Sequence, residues 1–376
     1  MSEALTAMVG NALGRGEKEL AKHRSNNAFV FALILSVFMT IIGLLSTSYL
    51  MSLLGAQGEY LESSLRYIDT ILYGSVFFIG SMFVNSVLNA QGDMVSFRNI
   101  LIFTFVLNIF LDYTFVKLGF GIKGIAYSTV ISEAITMFYL LYKLFKTELF
   151  KDKICTLKID SVVHIKLVKE GIPPTANMLF MSLGIFIITY YASEFGEEVV
   201  AALGIGMRVE QLALMPIIGL NVAVLTIISQ NSGALQYERI REVVKVALKY
   251  CFYLSVVTFG ALFFFGTFWM QLFSGDMKVI SEGVTFLKVE AFLIFPFSMI
   301  FIYVALLQGI EKPKFIFYIS LVRQILFPLL LLEIVTLFYH DVLLVWLIIA
   351  LSVILSAVIL WRYAIHELDK KESSVK

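Results

Sequence analysis

Val9–Lys18, VGNALGRGEK, returns in altered form 219 residues later as Ile228–Tyr237, ISQNSGALQY, with Gly14 matching Gly233. The same shift lays Tyr49–Leu54 (YLMSLL) over Phe268–Phe273 (FWMQLF), matching Met51 to Met270 and Leu53 to Leu272. A shift of 217 lays Gln91-Gly92 over Gln308-Gly309. A near-constant offset at three separated sites reads as a duplicated unit of about 218 residues. Two whole units would need about 436 residues by that period, and the chain has 376.

The units are built for lipid. Hydrophobic residues make up 59% of the chain and charged ones 15%, and the mean hydropathy is +0.87. Ten apolar runs reach the roughly 17–25 residues that a helix needs to cross a bilayer. They lie at about 28–54, 67–90, 99–116, 124–142, 171–193, 199–230, 250–273, 289–310, 315–339 and 342–361. Membrane strands would alternate apolar and polar residues; these runs are apolar on every face, which leaves helices that satisfy their own backbone. The expected fold class is therefore an all-α polytopic membrane protein.

Hydropathy repeats with the same period. Spans starting at 28, 67, 99 and 124 are answered by spans starting at 250, 289, 315 and 342. Runs 171–193 and 199–230 open the second copy, and subtracting 218 from them gives −47 to −25 and −19 to 12. The first copy is thus expected to lack its first helix and most of its second, with Ser2–Ala12 as the tail of that second helix. The expected organisation is an N-terminal lobe at 1–146 (helices 3–6 of a six-helix unit after that tail), a cytoplasmic linker at 147–165, a C-terminal lobe at 166–364 (helices 7–12) and a tail at 365–376. Six helices per unit give both copies one orientation, a parallel repeat found in transporters.

A net charge of +1 hides a strong asymmetry. With the loops assigned alternately to two sides, one side holds 22 Lys and Arg, including Lys143–Lys169 and both termini, and the other holds 5. The positive-inside rule places the richer side in the cytoplasm. Cys155 and Cys251 suggest no disulfide, the four histidines are scattered without metal-ligand spacing, and no phosphate-binding glycine loop is present.

Several segments carry a family likeness. VGNALGRGEKELAKH (Val9–His23) has its echo in SQNSGA, and LNAQGD (Leu88–Asp93) in LQGIEKP (Leu307–Pro313). LNIFLDYTFV (Leu107–Val116), GIAYSTVISE (Gly124–Glu133), GIPPTANMLF (Gly171–Phe180) and LMPIIGLNVAVLTIISQNSGA (Leu214–Ala234) complete the set. In this order and spacing the chain resembles the multidrug and toxic compound extrusion (MATE) family of secondary transporters. The resemblance implies export of bulky, often cationic and aromatic compounds in exchange for Na⁺ or H⁺ by alternating access, with no enzymatic step and no cofactor besides the coupling ion. It also implies an ion or proton site on Asn108, Asp112 and Thr129, together with a first-helix Asp that has no counterpart here. The family's seventh-helix acid is missing from NMLFMS (Asn177–Ser182).

Asn108 and Asp112 are spaced i, i+4 and share a helix face. A carboxylate, an amide oxygen and a hydroxyl are hard ligands for a small cation, and a lone Asp there can instead carry a proton. Alternatively, Asp112 sits at the interface one turn from its helix end. Glu133 either binds a cationic substrate in a wet cleft or pairs with a neighbouring helix. Met178 and Met181 are candidates for a greasy substrate cavity, and lipid-facing surface is their other reading. Arg208, Glu210, Arg323 and Glu333 suggest structural pairs between helices, whereas Asp69 and Glu290 read as interfacial residues at span starts. Pro173, Pro174, Pro216, Pro296 and Pro328 mark either hinges or static packing.

The partners expected are a small organic substrate and the lipid bilayer, with no nucleic acid, and the chain is expected to be a monomer in the plasma (inner) membrane with its C-terminus in the cytoplasm. Two other readings compete with the exporter. One is a non-transporting remnant; the other is a lipid-linked oligosaccharide flippase, which the presence of only two intramembrane cations, Arg208 and Arg323, disfavours.

Overall fold

The computed structural model describes residues 1–151, 159–339 and 341–374, and no strand occurs among them. Cys155, and the middle of the expected linker with it, lies outside the described residues. Thirteen α-helices follow in chain order: α1 Ser2–Gly14, α2 Lys18–Leu53, α3 Gly58–Tyr73, α4 Ser75–Ala90, α5 Val95–Lys117, α6 Gly121–Phe145 and α7 Ser161–Ser193, then α8 Glu197–Gly233, α9 Tyr237–Gln271, α10 Met277–Gly309, α11 Lys314–Leu321, α12 Phe327–Phe338 and α13 Val342–Ser373. A π-turn, Val322–Leu326, joins α11 to α12. Among the described residues nine helical stretches are long and apolar enough to cross a membrane, and the pair α3–α4, bent by 44°, passes the same test when taken together, which brings the number to ten if the pair is one span.

The helices outrun the apolar runs that mark them. α2 begins at Lys18, α9 at Tyr237, and α13 continues to Ser373. Hydropathy senses only the stretch facing lipid, while the backbone keeps its hydrogen-bonded ladder into water, where charged side chains sit at no cost. Lipid-facing surface is plain on α2, where Leu33, Ile34, Val37, Phe38 and Ile41 are all exposed. Such a patch is untenable in water.

The chain forms two compact units, Ser2–Val168 and Lys169–Lys376, the latter joined by Met1. In the first, α6 packs on α3, α4 and α5, and α2 packs on α1, α3 and α4. Arg24 (α2) donates to Met8 O at 2.5 Å and Thr6 to Ser86 O at 3.2 Å, fastening α1 to α2 and α4. In the second unit α10 is central, packed on α8, α9 and α13.

The opening repeat is a repeated turn. Arg15, Gly16 and Glu17 donate to the carbonyls of Asn11, Leu13 and Ala12; Ala234, Leu235 and Gln236 donate to those of Gln230, Ser232 and Asn231. Donors and acceptors all shift by 219. Both are Schellman caps, closed by a residue in the left-handed region, Gly16 at φ 77° and Leu235 at φ 59°. The second pair shows the same bonding: Gln91, Gly92 and Asp93 donate to Val87, Asn89 and Leu88, and Ile310, Glu311 and Lys312 to Leu306, Gln308 and Leu307. Its shift is again 219, which corrects the Gln-Gly register of 217. Gly92 (φ 89°) is structurally matched by Glu311 (φ 55°), because cap geometry, and not residue identity, is what the duplication retained.

Regular helix breaks at places other than most of the prolines. α7, α8 and α10 run through Pro173, Pro174, Pro216 and Pro296. The departures are the bend at Gly74, the non-helical Phe265 within α9 (φ −108°, ψ 17°) and the π-turn just ahead of Pro328. Pro328 has no N–H to give the Gln324 carbonyl, and Phe327 N–H instead reaches back five residues to Val322 O.

Candidate functional site

The hairpin of α5 and α6 gathers the first candidate site. Asn108 and Asp112 lie one turn apart on α5, both half-buried. Between them on α6 stands Ser128, fully buried. Asn108 Nδ2 donates to Ser128 Oγ at 3.4 Å, and Ser128 Oγ donates in turn to Asp112 Oδ1. The hydroxyl therefore links amide to carboxylate. Among the described residues neither Asp112 Oδ2 nor Asn108 Oδ1 has a protein donor, so two hard oxygens remain available on the same face.

Thr129 is placed differently from the expectation. Its hydroxyl donates to Ile125 O at 2.9 Å, within its own helix. Residue 128, not 129, lies on the buried face because α6 buries Gly124, Ser128, Ser132, Thr136 and Leu140, a stripe spaced by four. That spacing was the available signal for Ser128. Gly124 makes the approach possible at the turn between the two helices: a Cβ there would sit 2.7 Å from Phe115 Cβ on α5.

Glu133, also on α6, faces α4. Ser81 Oγ donates to Glu133 Oε1, so this half-buried carboxylate is tied to a neighbouring helix. One turn along α4, Asn85 Oδ1 is buried without a partner. Close contacts hold the two helices together, since a Cβ on Gly80 would lie 2.7 Å from Met137 Sδ. The polar groups of α4 and α6 thus extend inward from the Asp112 cluster along the same unit.

Met178 and Met181 belong to the second unit, on α7, where they are 63% and 53% exposed and outside its packed core. Asn177 beside them faces inward: its Oδ1 accepts from Ser320 Oγ at 2.7 Å and from Gln324 Nε2 at 3.1 Å. Glu333 accepts from Tyr191 Oη at 2.7 Å, a pairing between helices. Glu290 departs from its expected place. It is the fourteenth residue of α10 and 3% exposed, well inside the helix and not at its edge. Among the described residues no group of three or more His, Cys, Asp or Glu is arranged to hold a metal ion.

A family model described as MatE matches residues 1–114 and 173–332. The chain is 26% identical over 301 residues to the "Probable multidrug resistance protein YoeA" of Bacillus subtilis, covering 77% of this chain and 65% of that protein. It is 26% identical over 284 residues to the "Probable multidrug resistance protein NorM" of Thermotoga maritima, covering 74% and 61%. The chain thus spans a little under two thirds of these relatives' length. Among solved structures, a MOP superfamily transporter from Pyrococcus furiosus superposes with a TM-score of 0.91 at 21% identity, over 99% of this chain and 84% of the other.

Proposed function

The chain belongs to the MatE family, and from that footing we propose that it is a secondary active antiporter that exports organic compounds, cationic and aromatic ones among them, in exchange for Na⁺ or H⁺. The observation that carries the reading is the Asn108–Ser128–Asp112 cluster, a carboxylate with one oxygen held by a buried hydroxyl and the other open. Such a group binds either a proton or a small cation, and the choice between filled and empty alters the charge inside the membrane by one unit. A cation is expensive at that depth unless a carboxylate meets it, so loading Asp112 favours one arrangement of the α5–α6 hairpin and unloading it another. Thr129, one residue from Ser128, is a further hydroxyl for the loaded state. Glu133, the Ser81 partner, supplies negative charge to attract a cationic substrate, and Met178 and Met181 supply an adaptable apolar surface. The two units act as the lobes of alternating access, with the C-terminus in the cytoplasm of a monomer in the plasma (inner) membrane.

The test is efflux from proteoliposomes containing the chain, with ethidium as the aromatic cation and an imposed Na⁺ or H⁺ gradient. Gradient-driven efflux that Asp112→Asn abolishes is the expected result. Efflux undiminished in Asp112→Asn would remove the cluster from the coupling step.

A further inference from the structure

A groove of about 530 Å³ runs between α10 and α13 in the Lys169–Lys376 unit, and none of the groups used above lines it. That volume falls within the roughly 300–1,000 Å³ of ligand pockets. On the α13 side its wall is Leu343, Leu347, Ala350 and Ile354, spaced by four, three and four residues and so on one helix face. Ala350 is small and buried while the three others stand exposed, which leaves a hollow along the helix. From residue 343 to residue 354 the rise is about 16 Å. That is half of the roughly 30 Å hydrocarbon core, the depth of one leaflet.

The α10 wall carries one charge, Lys288. The chain crosses back once between α10 and α13, through α11 and α12, so the two helices run parallel. Their register is set by the Phe286 ring, 5.1 Å from that of Trp346. The apolar run of α13 starts at Val342, directly after its cap Asp341. Lys288 is then level with about residue 348, roughly 9 Å inside that edge. Its stem leans toward the start of α10, and a lysine so placed carries its ammonium along the apolar wall to the level of the headgroups. Among the described residues Lys288 makes no hydrogen bond or ion pair; its one contact is the Phe263 ring, 6.0 Å away. Nearby acids are turned elsewhere: Glu290 is two residues on and buried, and Asp341 accepts from Leu343 N–H. Glu282 stands six residues, about 9 Å, nearer the helix start. An exposed cation at this depth lacks a counter-charge from the protein, and lipid is what surrounds it.

We propose that the groove binds one anionic phospholipid, its phosphate on the Lys288 ammonium and one acyl chain laid along Leu343, Leu347, Ala350 and Ile354. Thr285, whose hydroxyl donates to Ser281 O at 3.1 Å, adds a polar rim at the headgroup end. Charge selects the lipid: a zwitterionic headgroup brings its own ammonium to compete for the phosphate, whereas an anionic one leaves it to Lys288. The length and apolarity of the α13 face hold the chain. Such a lipid binds whether or not the protein moves a substrate.

The test is tryptophan fluorescence of the full chain in phosphatidylcholine vesicles, in a Trp269→Phe, Trp361→Phe background that leaves Trp346 as the single tryptophan. Trp346 is 1% exposed and adjoins Leu347, so a chain in the groove reaches it and bulk lipid does not. Phosphatidylglycerol brominated on its acyl chains, added at low mole fraction, should quench Trp346 with an affinity about fivefold above that of brominated phosphatidylcholine, the worth of one lysine against an anionic lipid. Lys288→Gln should bring that ratio to about one, and Lys288→Arg should keep it. Ala350→Phe fills the hollow and should remove quenching by both lipids. Lys288 is exposed, so its variants decide the matter if Ala350→Phe does not fold. Equal quenching by the two lipids in the parent, or a preference that survives Lys288→Gln, overturns the proposal. So does an absence of quenching together with cross-linking between copies through Leu347→Cys in a Cys155→Ser, Cys251→Ser background, which gives the groove to a second copy.

Discussion

Ser128 and Thr129 are adjacent hydroxyls separated by about 100° around α6, and that angle decides which one meets Asp112. The resemblance pointed to a hydroxyl at this level, but the phase of the helix chose the residue. The four-residue stripe Gly124, Ser128, Ser132, Thr136 was legible in the sequence; its priority over a family correspondence was not. Ser128→Ala removes a charge-assisted hydrogen bond worth roughly 1.5–3 kcal/mol, so gradient-driven ethidium efflux should fall about tenfold or more. Thr129→Val, losing only a bond within its own helix, should reduce it less than about twofold. Equal losses in the two variants would contradict this division of roles. A second residue-level device lies outside the membrane. Asp160 Oδ2 is 2.8 Å from His23 Nε2, and this bond, with the Val162 N–H, holds its carboxyl below the ordinary 3.8. A carboxylate whose folded pKa is depressed contributes stability above its unfolded value and loses it as pH falls through the folded one. Wild type should therefore be more thermostable than Asp160→Asn at neutral pH, with the gap closing below about pH 4. A gap that stays constant down through that range would mean the contact is worth nothing in charge terms.

At the scale of elements, the caps show what duplication conserves and where it leaves strain. Gly16 and Leu235 occupy matched left-handed positions, but only glycine does so without a steric penalty, which for other residues is about 1–2 kcal/mol. A Cβ on Gly16 would meet nothing within 4 Å, so Gly16→Ala isolates the backbone cost. Thermal unfolding in detergent should show it destabilised by about 1 kcal/mol. Leu235→Gly should instead raise stability by up to about 1 kcal/mol, since the leucine is 54% exposed and buries little. Opposite signs in the two variants are the requirement. The staple between α7 and the α11 turn behaves differently: Asn177 serves both Ser320 and Gln324, and Gly184 admits the Gln324 carbonyl at 2.9 Å from where a Cβ would be. Asn177→Ala strands two donors and should cost about 1–3 kcal/mol. Glu290 shows why such detail escaped hydropathy. Lys278, Glu282 and Lys288 in the first turns of α10 lower the apolar score, so the apolar run begins only at 289 and its second residue looks interfacial. The helix begins at Met277, because backbone hydrogen bonds extend a helix where hydropathy does not.

At the scale of the whole molecule the order of spans was readable because lipid imposes length and apolarity on every crossing, and because two copies of one pattern test each other. Membrane sidedness is the remaining global property, and we propose that it follows the 22 Lys and Arg on one set of loops against 5 on the other. Each basic residue near a span end resists transfer across the membrane during insertion, so the whole ladder is oriented by the sum and not by any single loop. The turns at Gly16, Gly92, Leu235 and Glu311 all belong to the basic set, those at Gly55 and Ser274 to the other. In a Cys155→Ser, Cys251→Ser background, single cysteines at Gly55 and Ser274 should react with a membrane-impermeant maleimide on intact cells. Cysteines at Gly92 and Glu311 should react only after permeabilisation. The decisive comparison is within matched pairs. Six helices per copy bring 92 and 311 to one face and 55 and 274 to the opposite one, whereas an odd number would split each pair. A split pair would end the parallel-repeat reading even if every span were placed correctly, and a uniform reversal of all four would keep the repeat while overturning the charge rule for this chain.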